Sequence, residues 1–114
     1  MTVTDRIRAF ALPADHTTTD QLLHRILALP SLAAQLLTAA ADHLAKHKPA
    51  DELTVAGWGR ALALADARTL TGYPQHIAQN AGRRAMGALA PAMWEQARTR
   101  GEWALLLRDA ARTV

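Results

Sequence analysis

The residues best suited to binding an anion or nucleic acid lie in a run of 28 residues, 67–94, that contains no Asp or Glu. On a helix over 74–89, the amide, histidine and arginine side chains of this run gather opposite the apolar side. Guanidinium and amide groups hold phosphates and read base edges, so the pattern predicts a nucleic-acid or anion-binding surface. The predicted residues of this surface are Arg68, Gln75, His76, Gln79, Asn80, Arg83 and Arg84.

The order of elements around this run resembles the outline of a helix-turn-helix. A helix over 60–71, a turn at Thr71–Gly72–Tyr73 and an amide-rich helix over 74–89 follow one another. In such a motif the second helix enters the major groove of DNA. Two other interpretations stay open, because any solvent-facing side of a helix is polar and because the same face could contact a protein.

A second set of residues favours contact with a protein partner. Trp58 stands between two glycines, which leave an indole uncovered, and exposed tryptophan is typical of binding hot spots. Leu53 and Leu64 point away from the Trp58 side of the same helix. A helix with two apolar faces is either central in the fold or gives one face to a partner, so we predict Trp58, Leu53 and Leu64 as partner-binding residues.

His43 and His47 are four residues apart on one helix, a spacing that can chelate zinc or nickel. A third ligand would have to come from His16, His24 or Asp42. The alternative is structural: His43 at the edge of the core and His47 complementing the helix C-terminal dipole. We favour the structural interpretation and expect neither a metal nor a cofactor.

The sequence carries no catalytic motif of the hydrolase, P-loop, dinucleotide-binding or zinc-protease types. Its one serine, Ser31, is explained as a helix cap. All ten carboxylates fall on predicted solvent-facing sides or at helix starts, where burial would not raise their pKa values. We therefore predict that this domain is not an enzyme.

Prolines at regular intervals divide the chain into predicted helices. Thr18 and Gln21 have capping-box spacing at the start of the most clearly amphipathic one. The predicted helices cover 5–12, 18–29, 32–47 with Ser31 as its cap, a stretch from Asp51 or Thr54 to Thr71 with Gly72 as its cap, 74–89, and 91–112 with a break near Thr99–Gly101. A single unbroken helix over 91–112 is the alternative. Because Gly57 and Gly59 disfavour helix, the fourth helix has Arg60 as an alternative start.

Composition supports an all-α fold without a β-sheet. Of 114 residues, 26 are alanine and 17 leucine, whereas valine and isoleucine total six. We predict a small single-domain bundle of five to six short helices over 1–114, with 1–16 as a loosely attached N-terminal arm. Alanine together with eleven Arg against two Lys is typical of a bacterial high-GC genome.

The chain has no cysteine, which excludes disulfides and thiolate metal sites. No apolar run is long enough for a membrane span, and no secretion signal is evident, so we expect a cytoplasmic protein without a membrane partner. These features together favour a non-catalytic helical interaction module: a self-associating protein, expected as a homo-oligomer, or an accessory subunit of a larger assembly, with or without nucleic acid. The alternative is a helix-turn-helix-type DNA-binding regulator that uses the 74–89 helix for recognition.

Overall fold

Five helices account for the regular structure of the described residues. The computed structural model describes residues 17–90 and 99–114. Its helices are α1 (Thr19–Ala28), α2 (Pro30–Lys46), α3 (Val55–Thr69), α4 (Gln75–Leu89) and α5 (Arg100–Thr113). No strand lies in these two ranges, where an isolated bridge joins Glu52 and Thr99. The predicted all-α class is confirmed, while the predicted helix over 5–12 and the 1–16 arm lie outside the described residues.

Two capping boxes set helix starts in agreement with the sequence. The Thr18 hydroxyl accepts a hydrogen bond from the Gln21 amide at 3.1 Å, and the Gln21 side chain accepts one from the Thr18 amide at 2.9 Å. Thr99 and Glu102 repeat this arrangement at the start of α5. Each box satisfies two backbone donors that a helix start leaves open. Helix α5 thus begins at Arg100, within the predicted break near Thr99–Gly101, while the preceding part of the predicted 91–112 region, residues 91–98, lies outside the described residues.

One predicted helix start is wrong, and another agrees with one of its predicted alternatives. Helix α2 begins at Pro30 rather than at residue 32, and Ser31 lies inside its first turn instead of capping it. Proline suits the first position because its φ is already helical and its missing N–H would lack a partner there. Helix α3 begins at Val55 with Thr54 as its cap, which confirms the predicted start at Thr54 over the alternatives at Asp51 and Arg60. The Thr54 hydroxyl accepts a hydrogen bond from the Gly57 amide at 3.0 Å and offsets the glycine cost.

The α3–α4 connection also differs in detail from the prediction. Helix α3 ends at Thr69 with Leu70 as its C-cap, so Gly72 does not cap it. Gly72 lies instead in the turn before α4, with φ +87°, a left-handed conformation that glycine adopts without steric cost. The turn brings the end of α3 and the start of α4 side by side.

Helix α2 lies at the centre of the described fold. It packs most extensively against α5 and α3, while α1 packs chiefly against α4. Its inner positions are completely buried leucines and alanines: Leu36, Leu37, Ala40, Ala41 and Leu44. Alanine lets neighbouring helices approach closely and leucine fills the remaining space. Helix α3 contacts α2 and α4, which leaves its remaining side facing solvent.

Candidate functional site

The polar side of α4 faces solvent as predicted. Most of the predicted residues on this helix are exposed: Gln75, His76, Asn80, Arg83 and Arg84, with Gln79 half-buried. Arg68 near the end of α3 is exposed as well. The residues are thus accessible, but they have different neighbours: Arg68 acts on His43 of α2, whereas Arg84 pairs with Asp20 of α1. Binding of nucleic acid by these residues stays a prediction.

Only part of the positive charge on this side is unpaired. Arg84 forms an ion pair with Asp20 of α1, with 2.7 Å between Nη1 and Oδ1. Arg83 exerts its field on Asp66, where burial raises the pKa of the carboxyl and Arg83 opposes that rise. Asp66 is the one acid within the sequences of α3 and α4. The solvent-facing sides of these two helices therefore present arginine and histidine without any acidic side chain.

An open groove runs between the second half of α3 and the start of α4. Its volume is about 460 Å³. Its lining residues come from α3, the connecting turn and α4: Ala63, Leu64, Asp66, Ala67, Leu70, Thr71, Gly72, Tyr73, Gln75, Ala78 and Gln79. Most of the groove surface is apolar, and only a few polar groups face it. Small-ligand pockets in other proteins usually have the same composition.

Asp66 is a buried carboxyl in the wall of this groove. It is 2 % exposed, and its Oδ1 accepts no hydrogen bond from the described residues. Burial raises the pKa of Asp66 to about 7, and the Arg83 field opposes this rise only in part. The expectation that every carboxylate would face solvent is wrong at this residue. The prediction that the domain is not an enzyme thereby loses one of its supports, though one carboxyl alone assigns no reaction.

A glycine on the neighbouring helix makes room for this carboxyl. A Cβ atom added to Gly82 of α4 would stand 1.8 Å from Asp66 Oδ1 and 2.4 Å from its Cγ, which no real contact allows. The Asp66 side chain therefore occupies the space that a side chain at position 82 would otherwise fill. Asp66 and Gly82 together set how closely α3 and α4 can pack.

The sequence did contain a signal for the burial of Asp66. Leu62, Asp66 and Leu70 follow one another at four-residue spacing, so they lie in one row along the helix. Both leucines are buried. An acid in the middle of an apolar row is the pattern that predicts a buried carboxyl, whereas assigning charged residues to the solvent side by type alone misses it.

The three predicted partner-binding residues differ in how exposed they are in the structure. Trp58 is half-buried and packs against Trp103 of α5 with ring centroids 5.2 Å apart, so it is not a freely presented indole. Leu53 is 6 % exposed and belongs to the core, which removes it from the accessible surface. Leu64 is 41 % exposed and stands at the lip of the groove.

The solvent side of α3 is apolar and built from small residues. Its exposed positions are Val55, Ala56, Gly59, Arg60, Ala63, Leu64, Ala67 and Arg68. The exposed residues from Ala56 to Ala67 are called here the α3 face; four of these six residues are alanine or glycine, and the other two are Arg60 and Leu64. The small residues would let a partner backbone come close to the helix axis. Because Ala63, Leu64 and Ala67 also line the groove, the α3 face and the groove form one surface.

The paired histidines lie together but without further metal ligands. The His43 and His47 ring centroids are 4.7 Å apart. Burial lowers the pKa of His43, and His47, Arg100 and Arg68 lower it further through their positive fields. The described residues contain no group of three His, Cys, Asp or Glu side chains that could hold a metal ion. His24 and Asp42 thus supply no third ligand, and His16 lies outside the described residues.

In residues 17–90 and 99–114, no single helix has the length and hydropathy needed to cross a membrane; only α1 and α2 taken together meet that test, and they are bent by 97°. No protein-family model matches the sequence, and comparisons with curated proteins and with solved structures find no similar chain.

Proposed function

We propose that this chain is a non-catalytic helical interaction subunit that docks an acidic amphipathic helix of a partner protein on the α3 face. The observation that carries the proposal is the apolar, small-residue surface from Ala56 to Ala67, which no described element covers. Small residues allow two helices to pack at close range, and burial of apolar area supplies the driving force.

Charge selects the kind of partner. Arg60 lies within the α3 face between Ala56 and Leu64, Arg68 lies at its edge, and α3 and α4 expose no acid. A partner helix with glutamate or aspartate beside its apolar stripe would meet these arginines favourably. Two copies of this face would bring like charges together, so the geometry favours a different protein over self-association.

The size of the surface fits a single helix. Helix α3 has 15 residues, which corresponds to a length of about 22 Å at the usual rise per residue. One partner helix packed along α3 would bury a surface area at the lower end of the range for specific protein–protein complexes. Such a contact is typical of a transient complex or of one contact within a larger assembly.

The alternative is a helix-turn-helix-type DNA-binding regulator that reads bases with α4. It is supported by the exposed row of amide and arginine side chains on that helix and by the absence of acids there. Against it stands the pairing of Arg84 with Asp20, which reduces the charge available to phosphates. We rank it second for this reason.

A pair of designed peptides tests the proposal. One carries a leucine–alanine stripe flanked by glutamates, and the other has the same stripe flanked by lysines; both are titrated into the protein by calorimetry. We expect the glutamate peptide to bind at least about tenfold more tightly. Ala63→Arg should abolish the binding by blocking the α3 face, whereas Leu105→Arg, on the exposed side of α5, should leave it unchanged.

The same variants separate the alternatives. Ala63→Arg adds positive charge and should not weaken binding to a DNA duplex, while a double Arg83→Ala, Arg84→Ala variant should. Equal affinity for the two peptides, or full binding by Ala63→Arg, would overturn the proposal. Duplex binding that weakens linearly with salt on logarithmic scales and is lost in the double variant would replace it with the regulator. A dimer in sedimentation experiments that Ala63→Arg dissociates would replace it with self-association.

A further inference from the structure

We propose that the α3–α4 groove is a binding site for a small apolar amine, whose ammonium group pairs with the Asp66 carboxyl while its apolar body lies against Leu64, Leu70 and Ala78. This ligand differs from the partner helix proposed above. The site depends on the groove and its carboxyl, and it stands whether or not a helix docks on the α3 face.

The dimensions of the groove suit such a ligand. Its volume of about 460 Å³ lies within the range of ordinary small-molecule pockets. The apolar wall is contributed by both helices and by Leu70 at the end of α3. An aliphatic or aromatic body of roughly ten heavy atoms would fill it and gain free energy by leaving water.

The unpartnered carboxyl is the feature that points to a ligand. Asp66 is buried, lines the groove, and has an oxygen without a hydrogen-bond donor among the described residues. Buried polar atoms almost always have a partner, and leaving one without it is costly. An apolar residue at position 66 would avoid this cost. Because Oδ1 itself lies against Gly82, a donor in the groove would approach the carboxyl from the side that lines the groove.

The chemistry of the site selects a cation as that donor. A carboxylate accepts hydrogen bonds and attracts positive charge, and its bond to an ammonium is about twice as strong as a neutral one. The nearest internal competitor is Arg83, but this side chain lines a separate cavity with Trp58 and Met86 and leaves the groove open. The amide oxygens of Gln75 and Gln79 at the groove mouth can accept the remaining ammonium protons.

A hydrogen bond from α1 holds the turn that forms the mouth of the groove. Tyr73, which lines the groove, accepts a hydrogen bond through its hydroxyl from Arg25 of α1. This bond ties the α3–α4 turn to a third helix. A ligand would therefore enter a groove whose turn is already positioned, which lowers the ordering cost of binding.

Two matched probes test the proposal: 2-phenylethylamine, which is a cation at neutral pH, and 2-phenylethanol, which has the same body without the charge. Each is titrated into the full chain and followed by backbone amide NMR shifts. We expect shifts at Leu70, Ala78 and Gln79, and an affinity for the amine about tenfold higher than for the alcohol. Asp66→Asn, which keeps the shape of the side chain, should bring the two affinities together.

Ala67→Phe provides a second variant that does not depend on the buried carboxyl. This exposed residue lines the groove, so a phenyl ring there should fill the mouth without disturbing the core and should weaken both probes. Equal affinity for amine and alcohol in the unmodified chain would overturn the proposal. So would an amine preference that survives Asp66→Asn, shifts confined to another surface, or the absence of binding by both probes at about 10 mM, beyond weak fragment affinities.

Discussion

The carboxyl of Asp66 lies against the backbone of Gly82, in the space where any other residue at position 82 would place its Cβ atom 1.8 Å from Oδ1. This contact joins the middle of α3 to the middle of α4 and makes room for a buried acid. Because the oxygen has no donor among the described residues, the contact arises from shape rather than from hydrogen bonding. The groove and its carboxyl both depend on it.

Gly82→Ala is expected to destabilise the fold by about 1–3 kcal/mol, because the new methyl group must displace the Asp66 carboxyl or separate the two helices. Gly87→Ala is the matched control on the same helix, since a Cβ there meets nothing within 4 Å. Alanine in an open helical position should instead stabilise the fold by about 0.5–1 kcal/mol. Urea denaturation of both variants measures the two effects, and equal changes would contradict the packing of Asp66 on Gly82.

Asp66 should give the fold a component of stability that is lost as pH rises. Its pKa is raised to about 7 in the folded chain, above the value of 3.8 for a free aspartate, so the folded state holds the proton more tightly. This contribution is fully present below about pH 4 and disappears between there and about pH 7; its size is on the order of 4 kcal/mol. Arg83 opposes the shift, and burial dominates it.

Comparison of the unmodified chain with Asp66→Asn isolates this component. The other acids and His43, whose pKa is lowered, titrate in both proteins and cancel in the difference. The difference in free energy of unfolding should favour the unmodified chain more at low pH than at high pH. A difference that stays constant from about pH 4 to pH 8 would show that the Asp66 carboxyl is hydrated rather than buried.

Trp103 should be the most sensitive single position of α5. It is 1 % exposed and stacks beside Trp58, so truncation to alanine is expected to cost about 3–5 kcal/mol. Leu105→Ala on the same helix is the control; because Leu105 is 62 % exposed, the change should be below about 1 kcal/mol. Thermal unfolding followed by circular dichroism gives both values, and similar losses in the two variants would exclude Trp103 as a core anchor.

Thr54 should determine whether the first turn of α3 forms. Thr54→Ala removes the hydroxyl that accepts the Gly57 amide, and the expected cost is about 1 kcal/mol. Thr54→Ser keeps the acceptor and should recover most of this stability. Hydrogen exchange at Gly57 provides a local readout, since its amide should exchange faster in the alanine variant only. Equal exchange in all three proteins would mean that the two glycines tolerate helix without the cap.

Helix positions could largely be read from local chemistry. The Thr18–Gln21 box, the start of α5 at Thr99 and the helical course of residues 75–89 all depend on side chains within one turn of each other, and the structure confirms them. The error at Ser31 came from a competing local signal, because proline at the first helical position proved stronger than a serine cap. At the start of α3, the predicted Thr54 cap proved stronger than the cost of the two glycines. The amide- and arginine-bearing side of α4 was likewise visible as a polar stripe.

The sequence by itself determined the helices and the polar side of α4, because these follow from contacts between residues close in the chain. Only tertiary packing decided that Leu53 is buried, that Trp58 packs against Trp103 and that Arg84 pairs with Asp20, since each depends on an element distant in the chain. The same holds for Asp66: a space large enough for its carboxyl exists only where α3 crosses Gly82 of α4. Local periodicity indicates which side of a helix is apolar, but which neighbour covers that side depends on how the helices assemble.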